Sequence, residues 1–205
     1  MRVTFFFDPL CPWAWISSRW LLEAARVREI EPVFDLMSQA YLYEGQDLTE
    51  DQRATVRDMI KPLRVLSAAE QKYGAEAIPR LYDQLGVRLQ NQGLRHRREV
   101  WPQVLADGLR EAGFDAGLAA AAETGEHDAR IRRTHDLAVA AAGPEAGTPV
   151  IRFDEAGGAA FFGPVVSPAP RGEEAGRLWD GVALLAATPG FYEIKRSRMG
   201  GPVFE

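Results

Sequence analysis

The only cysteine of this 205-residue chain, Cys11, stands in Phe5-Phe6-Phe7-Asp8-Pro9-Leu10-Cys11-Pro12-Trp13-Ala14-Trp15. An apolar run, an Asp-Pro corner and a proline directly after the cysteine describe a strand turning into a helix, because proline's fixed φ and missing N–H suit the first helical position. A thiol at that place faces unpaired N–H groups and the positive end of the helix dipole. A free thiol with a pKa near ~8.5 is only about 3% thiolate at pH 7, and lowering that value by roughly 2 units ionises most of it. The expected chemistry is nucleophilic attack by a Cys11 thiolate. A lone cysteine is commonly just a small buried hydrophobe; the coincidence of strand, corner, proline and helix start weighs against that here. Cys11 is therefore the candidate catalytic residue, with Pro12, Trp13 and Ala14 as its neighbours.

Other catalytic chemistries find little support. His96, His127 and His135 fall in helical stretches without metal-ligand spacing, there is no HExxH or CxxC motif, and no metal is expected. Gly157-Gly158 and the scattered glycines form no GxGxxG unit after a strand, so no nicotinamide or flavin site and no tightly bound cofactor is expected. A formal charge of −5 and a pI near 5.4 argue against a nucleic-acid binder. The clusters Arg95-His96-Arg97-Arg98 and Arg130-Ile131-Arg132-Arg133 read first as solvated helix faces, and otherwise as places for an anionic small substrate. The first residues enter a strand without the basic and apolar regions of a signal peptide, and no run approaches the ~18 apolar residues of a membrane span. The expectation is a cytoplasmic protein without a membrane partner, and a reducing compartment suits a thiol that must stay free.

The elements that must position Cys11 follow from periodicity. Val3 to Phe7 is apolar throughout, as in a strand buried on both faces. From Trp13 onward, Ile16, Trp20, Leu21, Ala24 and Val27 recur at helical spacing, and Val33 to Met37 reads as a second strand, completing a βαβ unit. Between Thr49 and about Ala142 the pattern is helical: Thr49 starts a helix, Pro62 kinks or divides it, Gly74 stops it, and further segments run over 76–92, 97–112, 115–123 and 126–142. Residues 150–153 and 159–162 form a hairpin across Asp154-Glu155-Ala156-Gly157-Gly158, and Pro170-Arg171-Gly172-Glu173-Glu174 opens a last helix expected on the sheet's other face. Phe191 to Lys195 stays undecided between strand, helical turn and tail; its aromatics suit docking on the core or on a second subunit of a homodimer.

Phe-Asp-Pro-Leu-Cys-Pro-Trp-x-Trp resembles the active-site corner of DsbA-type thioredoxin-fold oxidoreductases. It is most similar to their actinobacterial branch, the mycothiol-dependent nitroreductase-like proteins. The resemblance extends through Ile16-Ser17-Ser18-Arg19-Trp20, Asn91-Gln92-Gly93, Gly147-Thr148-Pro149, Phe161-Phe162-Gly163-Pro164-Val165 and Pro170 to Gly176. It implies an α/β chain, a thioredoxin-like fold with a large all-helical insertion. The sheet domain would take residues 1–44 and 146–205, and residues 45–145 would form a helical lid over Cys11. It also implies a cis Thr148-Pro149 bond beside the reactive cysteine, although cis is only about 5–6% of X-Pro bonds in general. The Thr148 backbone would then offer a short docking edge to an extended thiol substrate. Mycothiol is the implied co-substrate, a small electrophile or disulfide the implied partner, and Asn91 and Trp15 are further candidates for substrate binding. Trp13 reads either as core or as substrate surface.

Two positions depart from the family pattern. Where the second cysteine belongs the chain has Ala14, which is either a native monothiol arrangement or an engineered trap for mixed disulfides. Where related sequences carry a histidine it has Gln90. The functional expectation is a thiol-dependent oxidoreductase working through Cys11 and mycothiol on nitro-aromatic or disulfide substrates. The alternatives are a non-redox thiol transferase or isomerase resembling the kappa-class glutathione transferases, and an inactive binding module.

Overall fold

The computed structural model describes residues 1–155 and 157–204, which form two compact units. The first comprises Met1–Phe7, Pro12–Asp35 and the chain from Leu137 onward; the second comprises Asp8–Cys11 and Leu36–Asp136.

The first unit is built on a four-stranded sheet of order β2-β1-β3-β4, with β1 at Arg2–Phe7, β2 at Glu31–Leu36, β3 at Val150–Phe153 and β4 at Ala160–Phe162. β3 pairs antiparallel with β1 through Val3↔Phe153 and Phe5↔Ile151, and with β4 through Ile151↔Phe161. The short β3–β4 connection enforces that antiparallel hairpin; Ala156, within the expected turn, lies outside the described residues. β1 is buried along both faces from Val3 to Phe7, as its unbroken apolar run requires, and Phe34 packs edge-on against Phe5 and Phe7 at 5.5 and 6.0 Å. Each such buried phenylalanine contributes about 1.5–3 kcal/mol.

Helix α1, Pro12–Ala24, begins directly after Cys11 and is buried on nearly every side. Its polar residues stay satisfied: Ser17 Oγ donates to the Pro164 carbonyl and Ser18 Oγ to that of Trp15, both at 2.6 Å. The last helix, α8, spans Gly172–Ala186. It packs beside α1, where the sequence placed it on the opposite face. Trp20 Nε1 donates to the Ala175 carbonyl at 3.1 Å, and Trp179 lies 6.2 Å from Trp20 and 5.5 Å from Phe153. Gly176 permits the close approach of the segment that follows α1, since a Cβ there would stand 2.9 Å from the Val27 side chain. Residues 191–195 adopt no regular structure, and Phe191 docks on Phe161 at 5.7 Å.

Apart from Leu36, the last residue of β2, the second unit is helical among its described residues: α2 Gln39–Leu42, α3 Glu50–Met59, α4 Lys61–Tyr73, α5 Ala77–Gly86, α6 Trp101–Glu111 and the beginning of α7 Asp128–Ala142. Thr49 caps α3 reciprocally with Gln52, and Pro62 sits in the first turn of α4, so the expected break falls at Ile60. Gly74, at φ +87°, ends α4 in a conformation that side-chain-bearing residues avoid. The expected helix over 76–92 is α5 continued by a π-helical turn at Val87–Asn91, and the segment over 115–123 is a 3₁₀ helix at Ala116–Glu123. The short α2 had no clear signal, because four residues carry too little periodicity to recognise. No helix among the described residues is long and apolar enough to cross a membrane.

Candidate active site

The residues between β1 and α1 form the corner that carries Cys11. The Cys11 N–H donates to the Asp8 carbonyl at 3.0 Å, closing a turn, and the Leu10 N–H donates to Asp8 Oδ1 at 2.9 Å, the side-chain turn that Asp favours before such a bend. The other carboxylate oxygen, Oδ2, accepts from the Gln39 N–H at the start of α2 at 2.7 Å. Gln90, in the π-helical turn, donates from Nε2 to the Pro9 carbonyl at 2.7 Å. The corner is thus tied to two separate helical segments of its own unit, and Pro12 opens the next helix without leaving an N–H to satisfy.

Asp8 is fully buried, and its pKa is pushed up to about 7 by desolvation, against which the N–H groups of Gln39 and Leu10 pull it down. Cys11 itself is 2% exposed. Pro12 and Trp13 are half-buried, while Ala14 and Trp15 are buried. The methyl group of Ala14 is fully enclosed, so the place of a second cysteine is a packed core position. The Arg19 guanidinium lies 4.1 Å over the Trp15 ring, and Arg198 lies 4.6 Å over that of Trp13.

Thr148 and Pro149 stand at the start of β3 in the first unit, both buried, and the bond between them is cis, as the family resemblance implies. The Pro149 carbonyl accepts from the Gly163 N–H at 2.8 Å. Asn91 ends the π-helical turn and is exposed, next to the inward-facing Gln90.

Most of the basic residues in the two clusters are neutralised. Arg97 pairs with Glu99 and Arg98 with Asp58, both at 3.0 Å; Arg130 pairs with Glu70 at 2.9 Å and Arg132 with Glu44. The buried histidines serve packing: His127 Nδ1 meets Ser67 Oγ at 3.3 Å, and His135 lies edge-on to Tyr41 at 5.4 Å.

A corner with one cysteine before a proline-started helix, anchored to a helical unit and followed by a cis-proline strand, invites comparison with known proteins. The Rv2466c-like family, described as mycothiol-dependent nitroreductase Rv2466c, matches residues 10–196. The chain belongs to this family. It is thereby a DsbA-type thioredoxin-fold oxidoreductase, of the thiol-disulfide oxidoreductase or mycothiol-dependent reductase class. One relative, the uncharacterized protein Rv2286c of Mycobacterium tuberculosis, is 30% identical over 200 residues, covering 96% of this chain and 82% of its own length. Among solved structures, 2-hydroxychromene-2-carboxylate isomerase is similar with a TM-score of 0.57 and 13% identity over 90% of this chain and 94% of that one. A probable DsbA oxidoreductase of Streptomyces coelicolor is similar with a TM-score of 0.56 and 17% identity over 97% of this chain and 94% of that one. These likenesses establish the thioredoxin-like fold with its helical insertion.

Two parts of the site, Asp8 and Arg198, were not singled out from the sequence, and a third, Gln90, was singled out without its contact. Asp8 had a usable signal, since Asp before Pro marks a side-chain turn. Gln90 was visible only as a departure from the family pattern. Arg198, beyond the family match at residues 10–196, had no signal, because a contact with Trp13 at such sequence separation leaves no local pattern.

Proposed function

We propose that this protein is a cytoplasmic, mycothiol-dependent reductase in which Cys11 is the sole nucleophile and nitro-aromatic compounds or small disulfides are the substrates. The observation that carries the proposal is the family match over residues 10–196, which takes in Cys11 directly before the start of α1, with a packed Ala14 at the resolving position. With no second thiol, the oxidised enzyme is a mixed disulfide, and an external thiol must resolve it. For a disulfide substrate, the Cys11 thiolate bonds to one sulfur and expels the other as a thiolate. Mycothiol thiolate then attacks the adduct, releasing Cys11 and leaving its own sulfur bonded to the former substrate sulfur. For a nitro compound, each two-electron step to the nitroso level consumes two mycothiol molecules and two protons from their thiols, yielding one mycothiol disulfide and one water. In this proposal Pro12 and Trp13 border the reacting sulfur, and Thr148 and Pro149 offer the docking edge. Asn91 and Trp15 contribute to substrate binding.

Oxidised mycothiol is expected to leave one mycothiol adduct on Cys11, visible by intact mass and released by reduced mycothiol. No adduct under conditions in which iodoacetamide labels Cys11 refutes the redox cycle. The enclosed alanine at position 14 favours a second reading, a thiol transferase or isomerase that activates a bound thiol without disulfide exchange. Turnover of a thiol conjugate or isomerisation with Cys11 remaining unmodified identifies that class, and absence of every turnover identifies a binding module.

A further inference from the structure

We propose that Gln90 is a positioning residue for Cys11, acting through the Pro9 carbonyl; this rests on the reading of Cys11 as the nucleophile. The Gln90 side chain is 1% exposed and bridges two groups of opposite character. Its Nε2 donates to the Pro9 carbonyl at 2.7 Å, and its Oε1 accepts from Arg95 Nη1 at 3.0 Å. A carbonyl only accepts and a guanidinium only donates, so the position demands one donor and one acceptor and the amide can sit only one way round. Arg95 is itself oriented by His96, whose Nε2 lies 2.9 Å from Arg95 Nε. The chain from His96 through Arg95 and Gln90 ends on the backbone two residues before Cys11.

The π-helical turn at Val87–Asn91 is the local device that aims this side chain. A single π turn rotates residues out of the α-helical register, and such turns recur at functional sites. Here it leaves Asn91 exposed and directs Gln90 inward. A neutral imidazole also offers one donor and one acceptor, whereas a protonated imidazole offers two donors and cannot accept from Arg95. Glutamine keeps the clamp and removes its titration. The charged and titratable groups on the corner and the π-turn side are Asp8, Arg95, His96 and Arg88, the last paired with Glu111 at 2.5 Å.

The test compares Gln90→His, Gln90→Glu and Gln90→Ala by the pH midpoint of Cys11 alkylation with iodoacetamide, with circular dichroism and thermal melting as the check on folding. Glutamate presents an acceptor to the Pro9 carbonyl, and alanine presents nothing. Both are expected to move the midpoint upward by about 0.5–1 unit, the equivalent of one lost hydrogen bond to the corner. Gln90→His is expected to keep the wild-type alkylation rate above pH ~7 and to fall below it as the imidazole charges near ~6.5. Folded Gln90→Glu and Gln90→His proteins with wild-type alkylation profiles would overturn the proposal, whatever their melting temperatures. Because alkylation needs no mycothiol, this outcome is separable from failure of the reductase reading, which is read from turnover of a Cys11→Ser variant.

Discussion

The buried Asp8 carboxyl makes the stability of this fold fall as pH rises through neutrality, and Asp8→Asn removes that dependence. Desolvation raises its folded pKa from 3.8 to about 7, so between those values the folded state holds a proton that the unfolded chain has lost. The contribution is therefore fully present below pH 3.8 and is lost as pH rises to about 7, at up to about 1.4 kcal/mol per pH unit. Integrated, the wild type loses about 2 kcal/mol relative to a non-titrating variant between pH ~5 and ~7, and about 4 kcal/mol over the whole window. The asparagine amide can accept from only one of the Leu10 and Gln39 N–H groups, so the variant starts at a disadvantage of about 1–3 kcal/mol at pH ~5. The wild-type advantage should shrink or reverse by pH ~8. Urea unfolding of both proteins across this range measures the difference directly, and titrations common to both cancel. A stability difference that stays constant from pH ~5 to ~8 would refute a proton on Asp8 near neutrality, and with it the reasoning that burial outweighs the two backbone donors.

Cys11 and three further substitutions have expected outcomes. Cys11 alkylation is expected to show a midpoint below the free-thiol value of ~8.5 because α1 begins directly after it; a midpoint at or above that value removes the case for an activated thiol. Ala14→Cys places a thiol at a fully enclosed position, so its melting temperature should fall by the equivalent of about 1–3 kcal/mol of overpacking. The mycothiol adduct should also shorten its half-life at least about tenfold through intramolecular attack, read by intact mass over time. Arg198→Ala uncovers the Trp13 ring at a stability change of about 0.5–1 kcal/mol, and acrylamide quenching should rise in the variant but not in a Trp13→Phe background. Arg64 donates to both Asp128 oxygens at 2.7 and 2.8 Å and to the Ala122 carbonyl at 3.0 Å, so Arg64→Ala should destabilise by about 1–3 kcal/mol in urea while leaving the Cys11 alkylation midpoint unchanged.

Much of this molecule is written in local patterns. The apolar run Val3–Phe7 dictates a strand buried on both faces, Pro12 dictates where α1 begins, and Thr49, Pro62 and Gly74 mark helix boundaries through side-chain caps, a missing N–H and a positive φ. The helical character of the middle region and the β3–β4 hairpin are equally local, since periodicity and turn chemistry act over a few residues. The family could be recognised for the same reason, because its motifs are short and contiguous. The tertiary structure alone decided that Asp8 would lose its solvent, that Gln90 would reach Pro9 across 81 positions of sequence, and that α8 would lie beside α1 through Trp20, Ala175 and Gly176. Burial and long-range hydrogen bonding depend on what packs around a residue, and no spacing within the chain encodes the neighbours that remove the water.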